Sequence, residues 1–238
     1  MRRKFFLADL HLGHQRLIDG WADENGATTP NNGPRGHFPT VEAMFETIRD
    51  NARKVVTADD DFYILGDIAL KESALPLLDE LPGRKRAVLG NHDLGKPAQY
   101  ARHFQRVYGA KVLEGGFLLT HIPIHPNSLD RRSMQINIHG HLHEAVVTKE
   151  VEVDTGIGVY PETVSDPRYV CVSCEQVNYT PISFEEIQAR VQAAGAWSPP
   201  EERPLRPGTT YERSQSDHNP KQFAGMGLAE RILARAGK

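Results

Sequence analysis

Seven short apolar runs punctuate the chain: Lys4–Ala8, Phe62–Leu65, Arg86–Leu89, Phe117–Thr120, Gln135–Ile138, Val151–Val153 and Val170–Ser173. Each has the length of a β-strand, and most stop at a glycine or polar cluster, which restricts the chain to a layered sheet protein. Helical patterns separate the earlier runs. Thr40 is placed to cap a helix carrying Ala43, Met44, Ile48 and Ala52 near one face. Glu72–Leu81 has leucines at helical spacing around Pro76, Pro97–Val107 reads as a further helix, and Ser183 with Glu186 forms a capping box for one running to about Ala194. Helices alternating with strands, then mostly strands, predict an α/β (α+β) fold.

The residues directly after the runs are chemically selected. Asp9-Leu10-His11 follows the first, Gly66-Asp67 the second and Gly90-Asn91-His92-Asp93 the third; His121 follows Phe117–Thr120, and Gly140-His141-Leu142-His143 follows Gln135–Ile138. Side chains at strand ends gather on one rim of a sheet. Extended spacing points Asp9 and His11 the same way, and the preceding glycines permit tight turns and close backbone approach. Carboxylate, imidazole and amide oxygen without thiolate suit hard to borderline divalent cations, manganese first, with iron, nickel or zinc as alternatives. A carboxylate has two oxygens, so one Asp can serve two ions. Two carboxylates facing two divalent cations leave a positive site that attracts phosphate.

In this order, Asp-x-His, Gly-Asp, Gly-Asn-His-Asp, His and Gly-His-x-His resemble the calcineurin-like metallophosphoesterase family over about residues 4–145. The spacing Asp9-Leu10-His11-Leu12-Gly13-His14 is similar to its small bacterial and phage members. The resemblance implies two facing β-sheets flanked by helices. It also implies that Asp9, His11 and His143 hold one metal, that Asn91, His121 and His141 hold a second, and that Asp67 bridges them. His92 would sit beside the phosphate and protonate the leaving oxygen, since imidazole titrates near neutral pH. His14 and His125 are candidates for lining the substrate pocket. A bridging water of lowered pKa would supply the attacking hydroxide. The protein Ser/Thr phosphatases of this family have arginines near the second and third motifs, where this chain has Ile68-Ala69-Leu70-Lys71 and Leu89. Without those forks a phosphodiester of nucleotide or cyclic-nucleotide type is the expected substrate; a nuclease, a phosphomonoesterase and a non-catalytic scaffold are the competing readings.

The rest of the sequence narrows partners more than chemistry. A net charge of −3 offers no broad basic surface for extended nucleic acid. No apolar run suffices to cross a bilayer, and Asp9 interrupts the apolar start, so a cytoplasmic protein is expected. Cys171 and Cys174, half a zinc site at most, read as packing cysteines. His37, His103, His139 and His218 read as ordinary core or surface histidines, and Asp59-Asp60-Asp61 as a solvated turn. Asp19–Pro39, rich in Gly, Asn and Pro, is a long functional or disordered loop able to cover a second ester group. The predicted organisation is a catalytic domain over 1–196, a Pro-rich linker over 197–220, and an amphipathic helix over 221–238 suited to homo-oligomer contacts.

Overall fold

The computed structural model describes residues 2–199 apart from 23, 25, 28–30, 94–96 and 130–132. The predicted linker from 200 onward and the helix over 221–238 lie outside the described residues. In chain order the elements are β1 (Lys4–Leu7), α1 (Arg16–Asp19), α2 (Val41–Val55), β2 (Asp61–Leu65), a 3₁₀ segment (Glu72–Glu80), β3 (Arg84–Val88) and α3 (Pro97–Tyr100). Then come β4 (Arg106–Tyr108), β5 (Lys111–Leu113), β6 (Phe117–Leu119), a 3₁₀ turn (Pro126–Leu129) and β7 (Ile136–His139). The last are β8 (Thr148–Asp154), β9 (Val159–Ser165), β10 (Tyr169–Cys171), β11 (Ile182–Ser183) and α4 (Phe184–Ala193).

The fold is mixed α/β. One sheet has the order β11-β1-β2-β3-β4, the second β10-β7-β6-β5, and β8-β9 form a separate hairpin. Strands β1 to β4 are mutually parallel, as are β6, β7 and β10. The period of two along a strand sorts the first sheet into two cores. Phe5, Leu7, Phe62, Ile64 and Ala87 pack with Met44, Phe45, Ile48 and Ala52 of α2 and with Leu75 and Leu78. Their neighbours Phe6, Ala8, Tyr63, Leu65 and Val88 pack with Leu113, Phe117, Leu119, Ile136 and Ile138 of the second sheet and with α4. Burial on both faces is why β1 and β2 read as continuous apolar runs. Each large apolar side chain so buried contributes about 1.5–3 kcal/mol.

Both N-caps follow the sequence, Thr40 Oγ1 accepting from Ala43 N and Ser183 Oγ from Glu186 N, both at 3.1 Å, but the expected capping box is half formed, because the Glu186 carboxylate pairs with Arg190. Three further expectations are corrected. The leucine-rich stretch winds as a 3₁₀ segment, because Pro76 lacks the N–H an interior α-turn needs. The helix expected over Pro97–Val107 is one turn, after which Arg106-Val107-Tyr108, β-branched and aromatic in part, pairs with β3 as an edge strand. The expected solvated turn is largely buried: Asp60 accepts from Arg3 and Thr57, and Asp61 pairs with Arg86.

Trp197, placed by sequence in the linker, belongs to the core. Its ring lies 5.1 Å from that of Phe117, and Nε1 donates to Gly115 O at 2.8 Å. We therefore expect Trp197→Ala, or truncation after Ala196, to destabilise the fold by about 3–5 kcal/mol, the range for emptying a buried aromatic site. Urea unfolding of the variants against the full chain measures it; an unchanged midpoint would contradict this packing.

Candidate metal centre

Parallel strands deliver their C-terminal ends to one edge, and the loops that follow β1, β2 and β3 carry Asp9, Asp67 and Asn91; those after β6 and β7 carry His121, His141 and His143. The loops are stitched together by Asp9 N to Gly66 O (3.0 Å), His11 N to Asp67 O (2.9 Å) and Gly140 N to His121 O (2.9 Å). The approach is so close that side chains are excluded at the glycines. A Cβ on Gly140 would fall 2.5 Å from Asp9 Oδ2, and one on Gly90 would strike the Asp67 carboxylate.

The backbone does not run extended through Asp9 and His11, as their spacing predicts. Asp9, His11, Asp67, His141 and His143 all have positive φ, between 48° and 72°. For residues with a Cβ this left-handed region is disfavoured. Such strain clusters where a side chain must be aimed and the surroundings hold it there. Turning each residue this way folds its side chain back toward a common centre.

Two groups of ligand atoms result: Asp9, His11 and His143, and Asp67, His121 and His141, each with its atoms within 4.8 Å of one another. Asp67 faces both. Its Oδ2 lies 3.7 Å from His11 Nε2, and its Oδ1 lies 3.2 Å from His121 Nε2. Asn91 Oδ1 joins the second group, 3.0 Å from His121 Nε2. Donors about 2.1 Å from a shared ion stand roughly 3.0 Å apart at a right angle and 4.2 Å apart when opposed. The separations of 3.0, 3.2 and 3.7 Å fall in that interval, while the 4.8 Å limit on the rest of each group exceeds it.

Hydrogen bonding leaves two of these atoms, Asp9 Oδ1 and His11 Nε2, free. Asp9 Oδ2 accepts from Ser173 Oγ (2.7 Å) and His141 N (2.9 Å), whereas Oδ1 is buried without a partner. His11 Nε2 is likewise buried and unpartnered, 3.9 Å from Asp9 Oδ1. His121 Nδ1 donates to Leu65 O at 2.8 Å, turning Nε2 to the centre. Burial, reinforced by the Arg35 charge, pushes the His11 imidazole down to about 2, so it stands neutral with a lone pair to give. Burial works against the Asp67 carboxylate, but the hydrogen bond and charge of His121, with the backbone hydrogen bond from His92, together outweigh it and hold the group at about 2. A neutral imidazole and a carboxylate are the forms a cation requires, and His11 and Asp67 hold them; at His121 and His143 the neighbouring carboxylates Asp67 and Glu175 raise the imidazole pKa against burial, so a divalent ion would displace a proton there.

His92 lies at the open side, with its backbone N on Asp67 Oδ1 (3.0 Å) and its Nε2 3.8 Å from Asp67 Oδ2. His14 Nδ1 is 3.3 Å from His11 Nδ1, and the His14 and His92 rings are 6.4 Å apart. His125 is exposed; its ring accepts from Asn127 N in its own turn, and no hydrogen bond, ion pair or ring contact joins it to the ligand groups among the described residues. Asp93 does not orient His92. Its carboxylate accepts from Gly90 N, Ile68 N and Tyr100 OH, pinning the loops after β2 and β3 together. Sequence reasoning missed Arg35, Ser173 and Glu175, which support the ligands from behind. None belongs to a recognisable motif, although a lone arginine in a Gly- and Asn-rich segment is the kind of residue that ties such a segment down.

No helix among the described residues is long and apolar enough to cross a membrane. No family model matches the chain. The chain is 28% identical over 202 residues to the Gene 66 protein of Mycobacterium phage L5, covering 69% of this chain and 91% of that protein. Among solved structures, a protein of unknown function from Aquifex aeolicus is similar at a TM-score of 0.53 and 27% identity, covering 79% of this chain and 99% of that one. An archaeal phosphodiesterase aligns at a TM-score of 0.36 and 15% identity, over 68% of this chain and 99% of its own; a likeness that slight carries no functional argument.

Proposed function

We propose that the protein is a binuclear-metal-dependent phosphoesterase that hydrolyses a small phosphodiester, of nucleotide or cyclic-nucleotide type. The observation that carries this reading is Asp67, whose two carboxylate oxygens face one ligand group each. Two ions held there, manganese by preference of such donors, would supply a water of lowered pKa and neutralise charge building on the phosphate oxygens.

The chain's own residues do the rest. Asp9, His11 and His143 would hold one ion and Asn91, His121 and His141 the other, with Asp67 available to both. His92, anchored through its backbone to Asp67 and with a half-exposed ring, delivers a proton to the departing oxygen. His14, against His11 and near His92, lines the substrate side. A monoester near neutral pH carries close to two charges and is best gripped by arginine forks. Arg35 is wholly buried, with its guanidinium engaged by backbone carbonyls and Glu175, and offers no such fork to the cleft. A cleft beside Asn91 and His121 is walled by Leu89, Gly109, Thr120 and Ile122, which suits the uncharged second ester group of a diester.

Three outcomes are expected. Chelation abolishes hydrolysis and added manganese restores it, while Asp67→Ala loses both ions by metal analysis; full activity without metal would sink the two-ion reading. His92→Ala keeps its metal but loses about 10²–10⁴-fold in kcat on a substrate with a poor leaving group, and less where the leaving group needs no proton. Loss of metal along with activity would reassign His92. With the same metal, kcat/KM is higher for bis-(p-nitrophenyl) phosphate than for p-nitrophenyl phosphate, and the reverse order would point to a monoesterase.

A further inference from the structure

Arg35 has no exposed surface, an unusual place for a guanidinium. It comes from the Gly- and Asn-rich segment between α1 and α2, whose backbone returns onto α1 through Gly33 N to Ile18 O and Arg35 N to Leu17 O. The side chain spends its donors behind the metal centre. Nη2 donates to Asp9 O at 2.7 Å, Nη1 points to Leu10 O at 3.4 Å, and Nε donates to Glu175 Oε1 at 2.7 Å. The same Oε1 lies 2.9 Å from His143 Nδ1.

We infer that Arg35 and Glu175 are a positioning pair for the first ion's ligands, an inference that rests on the two-ion reading above. Two things follow from the geometry. The carbonyls of Asp9 and Leu10 sit in the turn where Asp9 and His11 have positive φ, and the guanidinium holds that disfavoured turn by binding both. Glu175, fixed by Arg35, accepts the Nδ1 proton of His143, so Nε2 is left as the lone pair facing Asp9 Oδ1 at 3.9 Å. One buried ion pair thereby sets the aim of all three ligands in the group. Arginine and glutamate cancel in charge, so the first ion is not set against an uncompensated cation. Lysine could not substitute, because a point charge cannot grip a carboxylate and two carbonyls in a fixed fork.

The test titrates metal-free full-length protein with manganese, comparing wild type, Glu175→Gln and Arg35→Lys by calorimetry, with His143→Ala and His121→Ala marking loss at the first and second group. Wild type should take up two ions. Each positioning variant should weaken one of them by about 10–100-fold, following the pattern of His143→Ala, while the melting temperature of the metal-free protein stays near wild type. A downfield proton resonance from His143 Nδ1–H should be present in wild type and shifted or lost in Glu175→Gln, which a purely structural role would not produce. Unchanged affinity at both sites, equal weakening of both with a lower melting temperature, or failure of both variants to fold would each overturn the inference. Wild type that takes up no ion would instead overturn the two-ion reading itself.

Discussion

The centre depends on how the Asp9 carboxylate is divided. One oxygen is consumed by the Ser173 hydroxyl and the His141 amide, and the other is buried with nothing to bind. That division joins the ends of β1, β7 and β10, which lie in two different sheets. It also leaves a desolvated acceptor that is costly without a cation. Burial accordingly raises the Asp9 pKa, against the pull of His121 and Ser173. An ion would remove this solvation cost, and its binding would offset the strain of the left-handed turns without altering them.

The same logic explains why the site lies where the two sheets meet rather than on either alone. The first sheet contributes Asp9, Asp67 and Asn91, and the second contributes His121 and His141. The apolar layer between them, from Phe6 and Leu65 to Leu119 and Ile138, sets their separation. A change of volume in that layer would be felt at the ligand atoms, since packed interiors transmit strain.

Much of this was legible in sequence because it is written locally. A buried parallel strand must be apolar throughout, and a ligand at its end must be preceded by a residue small enough to pass a neighbour, so Phe62–Leu65 followed by Gly66-Asp67 announces both strand and site. What escaped notice depends on contacts far apart in sequence. Arg35 meets Glu175 across 140 residues and Ser173 meets Asp9 across 164, with no spacing rule to connect them. Edge strands such as Arg106–Tyr108 and the exposed hairpin Thr148–Ser165 lack the two-sided apolar signature, and of these only Val151–Val153 reads as a strand. Trp197 looked like linker because Pro and Ser surround it, yet a single aromatic ring against Phe117 suffices to hold that stretch in the core.

The chain order of these ligands also bears on how the centre comes into being. Its members run from residue 9 to residue 143, and Ser173 and Glu175, which fix two of them, come later still. Parallel pairing of this kind is non-local and pays for loop closure before any contact rewards it. On a ribosome, the first ligand emerges long before the residues that aim it, so the nascent chain carries loose donors rather than a site. An ion bound only by the finished cradle would add to the stability of the native state.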